Sequence, residues 1–123
     1  MSQSLSPDLS KITDLIRYEI FIPIADNEGE LFEGDDFDSV TEELMKTFGG
    51  VTLDYPYGGS GGVDGMWLSS LTNIVYRDRI AVVMALSKAT TGAHSTMRRF
   101  QRRWEQLFKQ EKILILSHRV QAI

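Results

Sequence analysis

The chain of 123 residues contains no cysteine. That absence removes disulfide frameworks, thiolate metal sites, thiolate-held iron–sulfur clusters and cysteine nucleophiles from consideration. Histidine is nearly as scarce. His94 and His118 occur without a His-x-His, a His-Glu-x-x-His or a third ligand at a telling spacing, so neither a metal site nor a cofactor is expected. No apolar run approaches the roughly 20 residues that span a bilayer. Met1 to Pro7 is polar and lacks the basic and apolar regions of a signal peptide. A soluble, cytoplasmic protein without membrane contact is the expectation. With 42% hydrophobic residues, 24% charged residues and 3 prolines, the composition is that of an ordinary globular domain. One domain over 1–123 is expected, with 1–16 as an N-terminal extension and 17–123 as the core.

What charge there is lies unevenly. Residues 1–64 hold 3 basic and 14 acidic side chains, whereas residues 65–123 hold 10 basic and 3 acidic ones. Such a split fits a nucleic-acid-binding half, or two oppositely charged elements side by side in one fold or across a dimer. The net charge of −4 works against approach to a polyanion, which favours the second reading.

Ser6-Pro7-Asp8 has the grammar of a helix start, and Leu9, Ile12, Leu15 and Ile16 follow at helical spacing. One or two turns from Pro7 to Asp14 are predicted. The period then changes to two. Tyr18, Ile20, Ile22 and Ile24 alternate with Arg17, Glu19 and Phe21, predicting a strand over 17–24 with one buried and one mixed face. Asp26-Asn27-Glu28-Gly29-Glu30 invites a calcium reading, but Leu31 stands where the EF-hand loop needs glycine, so a solvated turn is predicted. Asp36 is a plausible cap for a helix to Phe48, with Phe37, Val40, Leu44 and Phe48 as its apolar stripe and Gly49 as its left-handed terminator.

Val51 to Tyr55 alternates as a second strand before the Gly-rich loop 57–65. That loop lacks the Gly-Lys-Ser/Thr ending of a phosphate loop and reads as a flap. Met66-Trp67-Leu68 and Ile74-Val75-Tyr76 predict a short hairpin. Ile80 to Leu86 is apolar on both faces, hence a strand covered on both. Ser95 can cap a helix lined by Met97, Phe100, Trp104, Leu107 and Phe108, and 112–123 closes the chain as a strand. The order is β-α-β-β-α-β. It predicts an α+β, ferredoxin-like split βαβ fold: a four-stranded antiparallel sheet with two helices on one face and an inserted β-hairpin.

In that plan the second sheet face lacks helices. Two of its strands are too apolar to stand bare, so a homodimer through the open face is expected, enclosing a cavity for a small molecule. Glu19, Asp54 and His118 are the candidate catalytic, proton-transferring residues. Arg17 and Arg119 are candidate anion holders, and Phe21, Tyr55 and Trp67 candidate aromatic ligand contacts. Arg98, Arg99, Arg102 and Arg103 form a basic stripe on one helix, which pairing with the acidic helix explains better than nucleic acid does.

Four strings carry a resemblance: Tyr18-Glu19-Ile20-Phe21, Phe48-Gly49-Gly50-Val51-Thr52, Gly65-Met66-Trp67, and Phe108-Lys109-Gln110-Glu111-Lys112-Ile113. Together they are similar to small bacterial domain-of-unknown-function families with a ferredoxin-like βαββαβ plan, over roughly residues 18–123. The resemblance implies fold and dimerisation, with no reaction attached. The wider dimeric α+β barrel superfamily includes cofactor-free oxygenases and haem-handling enzymes, an analogy of fold alone. Three readings follow: a homodimeric small-ligand-binding or interaction protein, a small dimeric α+β-barrel-type enzyme with a cavity on the open face, and a nucleic-acid binder using Arg98 to Arg103.

Overall fold

The computed structural model describes residues 5–8, 14–26, 28–32, 34–54, 63–68 and 70–123, with the backbone alone at 63–65, 67 and 76–78. In chain order the elements are β1 (Asp14–Pro23), α1 (Gly34–Phe48), β2 (Thr52–Asp54), β3 (Val63–Leu68), β4 (Val75–Lys88), α2 (Thr91–Leu107) and β5 (Leu114–Gln121). The architecture is α+β. Four antiparallel strands lie abreast in the order β2-β4-β1-β5, and β3 joins the sheet as a fifth strand on β4.

The 14-residue β4 organises the sheet. Its first half pairs with β3 from Val63↔Ile80 to Leu68↔Val75, and its second half pairs with β2 around Leu53↔Val83. β2 and β3 therefore share one edge of β4 end to end. The expected hairpin at 66–76 is longer than predicted and is no separate excursion, because its second strand runs straight on into the core strand. Alternation explains why: Ala81, Val83 and Ala85 face the helices while Ile80, Val82, Met84 and Leu86 face away, so the backbone has no reason to break.

Both helices cover the same face. Phe37, Val40, Leu44 and Phe48 of α1 and Ala93, Met97, Phe100 and Trp104 of α2 pack on Ile16, Tyr18, Ile20 and Ile22 in one cluster. Glu43 on α1 ties the helices together, accepting a 2.5 Å bond from Arg103 and a 3.4 Å bond from the Trp104 indole. The acidic helix does lie beside the basic one.

Several predicted boundaries move, each for a local reason. The N-terminal helix is not formed where it is described: residues 5–8 are irregular and Asp14 already belongs to β1, while 9–13 lie outside the described residues. Residue 5 acts as a strap instead. The Leu5 amide donates to the Thr47 carbonyl at 3.1 Å, and the Leu5 carbonyl accepts from Lys88 at 2.9 Å. α1 begins at Gly34, so Asp36 sits inside its first turn rather than capping it. α2 begins four residues before Ser95, after Thr90 in extended conformation, and Leu107 lies 38% exposed, off the apolar stripe. β5 is the shorter Leu114–Gln121, because Ile113 turns into the core with its amide donated to Glu105 and its carbonyl accepting from Gln101.

Two turns come out as their sequences read. Asp26 Oδ1 accepts from the Glu28 and Glu30 amides at 2.9 Å, closing the acidic loop as a side-chain-held turn, and Gly29 supplies φ +84°. Gly49 terminates α1 at φ +85°, and a Cβ there would collide with the Ser6 hydroxyl. The Gly-rich loop, with Tyr55, lies outside the described residues except for its end in β3.

Candidate ligand site on the open sheet face

Alternation along β1 sends Arg17, Glu19 and Phe21 to the face without helices. The register places His118 directly beside Arg17, Leu116 and Met84 on either side of Glu19, and Leu114 and Val82 on either side of Phe21. At the centre three polar side chains meet. Glu19 Oε1 lies 3.0 Å from His118 Nε2 and 3.3 Å from Arg17 Nη2, so one carboxylate oxygen lies within ion-pair distance of both neighbours. Arg17 and Glu19 are half-buried and His118 is exposed, and the Arg17 Nε is shielded from solvent without a hydrogen-bond partner. Around them the surface is apolar: Leu114 is 51% and Leu116 40% exposed, with Phe21, Val82 and Met84 half-buried. At the far end of β1 the face is covered, since the adjacent residues Leu15 and Ile16 point to opposite sides and both are buried.

Of the predicted site residues, the fold brings Arg17, Glu19, Phe21 and His118 together. It keeps the others apart. Asp54 shares this face, but it stands two strands and two residues from Glu19, about 12 Å between Cα positions, beyond direct proton transfer. Trp67 pairs with Tyr76, roughly 25 Å further along β4 than the position beside Glu19. Arg119 pairs with Ile16 and so points to the helix side, which corrects its expected place on the open face: neighbours in a strand face opposite ways. Arg98, Arg99, Arg102 and Arg103 are all exposed on α2, as the stripe predicted.

The residue that sequence reading undervalued is His94. Its Nδ1 lies 2.7 Å from the buried Tyr18 hydroxyl, and the two rings meet edge to face. Burial pushes the Tyr18 phenol up to about 12, with the Arg98 charge pulling the other way. The available signal was Tyr18 itself, a phenol on the strand's apolar face that needs a polar partner from another element.

No group of three or more His, Asp or Glu side chains among the described residues could hold a metal ion. No helix among them is long and apolar enough to cross a membrane. An antiparallel α+β sheet with one helix-covered and one open face is thus the class of fold in hand. No family model and no curated protein matches the chain. Among solved structures it is similar to a phage SAM lyase in complex with S-methyl-5'-thioadenosine, with a TM-score of 0.59 over 87% of this chain and 88% of that one. At 9% identity that likeness shows a shared fold.

Proposed function

We propose that this chain is a small-ligand-binding protein of ferredoxin-like plan that works as a homodimer joined through its open sheet face. The observation that carries the reading is the Arg17–Glu19–His118 cluster: two basic side chains converge on one oxygen of the Glu19 carboxylate, beside the apolar Phe21, Met84, Leu114 and Leu116. Small-ligand sites have this make-up, apolar walls with a few convergent polar groups. The face is also self-complementary in charge. Arg17 and His118 lie toward one side and Asp54 toward the β2 edge, so a two-fold axis would set acid against base.

The similar phage protein holds S-methyl-5'-thioadenosine, which makes a nucleoside thioether the first ligand to try. Native mass spectrometry at micromolar concentration should give a dimer. Titration calorimetry with S-methyl-5'-thioadenosine should give saturable heat that Glu19→Gln weakens about tenfold, the scale of one charge-assisted contact. A monomer without heat of binding would overturn the reading. Turnover of SAM by the wild type, lost in Glu19→Gln, would replace it with the enzyme reading.

A further inference from the structure

A recess lies on the opposite side of the sheet from the Glu19 cluster, where α2 begins against β5. We propose that this cleft binds a small molecule through an oxyanion group, a phosphate or a carboxylate, independently of the open-face site. Its volume is about 330 Å³, within the range of small-ligand sites. One wall is Thr90, Thr91 and His94 and the other is Ser117, His118 and Arg119, and no acidic side chain among the described residues lines it.

The donor set decides the ligand class. Arg119 is exposed and supplies a planar fork of N–H groups suited to two oxygens at once. The Thr90 hydroxyl makes no capping bond to α2, and Thr91 and Ser117 add two more hydroxyls. His94 is prepared by its neighbour. When the Tyr18 hydroxyl donates to Nδ1, the neutral imidazole carries its own proton on Nε2 and presents a second N–H donor. α2 starts at this wall without an acid in its first turn, so its positive end adds to the same field. A cleft furnished with a guanidinium, an imidazole N–H and three hydroxyls, and with no carboxylate among its described residues, matches an oxyanion and disfavours a cation. Register sets the cleft's donors apart from Glu19: Ser117 and Arg119 face the helix side, opposite Tyr18 and Ile16. His118 between them also borders the cleft, but it pairs with Arg17 and turns its ring to Glu19 on the other face.

Amide and imidazole NMR titrations with inorganic phosphate and with acetate, at constant ionic strength, test the assignment. The amides of Thr91, Gly92, Ser117 and Arg119 should move saturably. Arg119→Gln and His94→Gln should each weaken the response about tenfold, whereas Arg102→Gln, on the exposed stripe, should leave it unchanged. His94→Gln keeps an acceptor for Tyr18, and an unchanged melting temperature checks that either variant remains folded. Saturation by phosphate alone identifies a phosphate site, by acetate alone a carboxylate site, and by both a general oxyanion site. Shifts that fail to saturate by about 20 mM, or that weaken equally in Arg102→Gln, would overturn the proposal as diffuse attraction to a basic surface. Because the open-face test reads a dimer and Glu19→Gln, either proposal can fail alone.

Discussion

Along β1, Ile16, Tyr18, Ile20 and Ile22 are 0–4% exposed, while Arg17, Glu19 and Phe21, each one residue away, remain half-buried. The two sets share a backbone and a strand. They differ in what lies over them, two helices on one side and no described element on the other. On the helix side, burial decides the residue types, and the polar exceptions are satisfied: Tyr18 meets His94, and the Trp104 indole meets Glu43. On the open side, apolar leucines stand beside a charged cluster, the surface that the proposed homodimer would bury.

The comparison is broken most forcefully at Trp104, which is fully buried between the helices and the sheet. Trp104→Ala should cost about 3–5 kcal/mol in denaturant unfolding. Leu116→Ala on the open face should cost under about 1 kcal/mol in the monomer, with its main effect on dimer affinity. Equal losses at a concentration where the protein is monomeric would show that the open face has a core of its own.

The next largest effect is alkaline. The Tyr18 proton is held up to about pH 12 in the folded protein against 10.0 in the unfolded chain. The folded state therefore binds the extra proton. Stability is fully present below pH 10 and falls as pH rises from 10 toward 12, by at most about 1.4 kcal/mol per pH unit. Tyr18→Phe should remove this loss, read as a flatter dependence of the unfolding midpoint on pH between 9 and 12.

At the N-terminal strap, Gly49→Ala should cost about 1–2 kcal/mol, since it adds left-handed strain to a collision with Ser6. A thermal melt unchanged from wild type would mean that the strap yields. Smallest of all is the Arg103–Glu43 pair on the exposed rim of the helix layer. A double-mutant cycle with alanine at both positions should give a coupling of under about 1 kcal/mol, shrinking with added salt.

Much of this was legible from spacing. The stripe Phe37, Val40, Leu44 and Phe48, the alternation from Tyr18 to Ile22 and the stop at Gly49 are consequences of helix and strand periods that act between near neighbours. The errors also have local causes. Leu15 and Ile16 continue the helical spacing of Leu9 and Ile12, yet both belong to β1 and both are buried because the strand there is covered on both sides. Ser95 looks like a cap because serine caps helices, but the chain reached helical geometry at Thr91. Three of the four open-face residues were placed together by spacing, since Arg17, Glu19 and Phe21 alternate within one strand, whereas the meeting of His118 with them was not.

Local order of apolar and polar residues, by itself, determined which face of each element would be buried, because period is a property of adjacent positions. Which side chains then met was decided by tertiary structure alone. Glu19 finds His118, and Tyr18 finds His94, only because strand register and helix placement carry distant parts of the chain to one point. Arg119 shows the same dependence in reverse. A single step along β5 moves it from the open face to the cleft, and no pattern of neighbours reveals which face that is until β5 is set against β1.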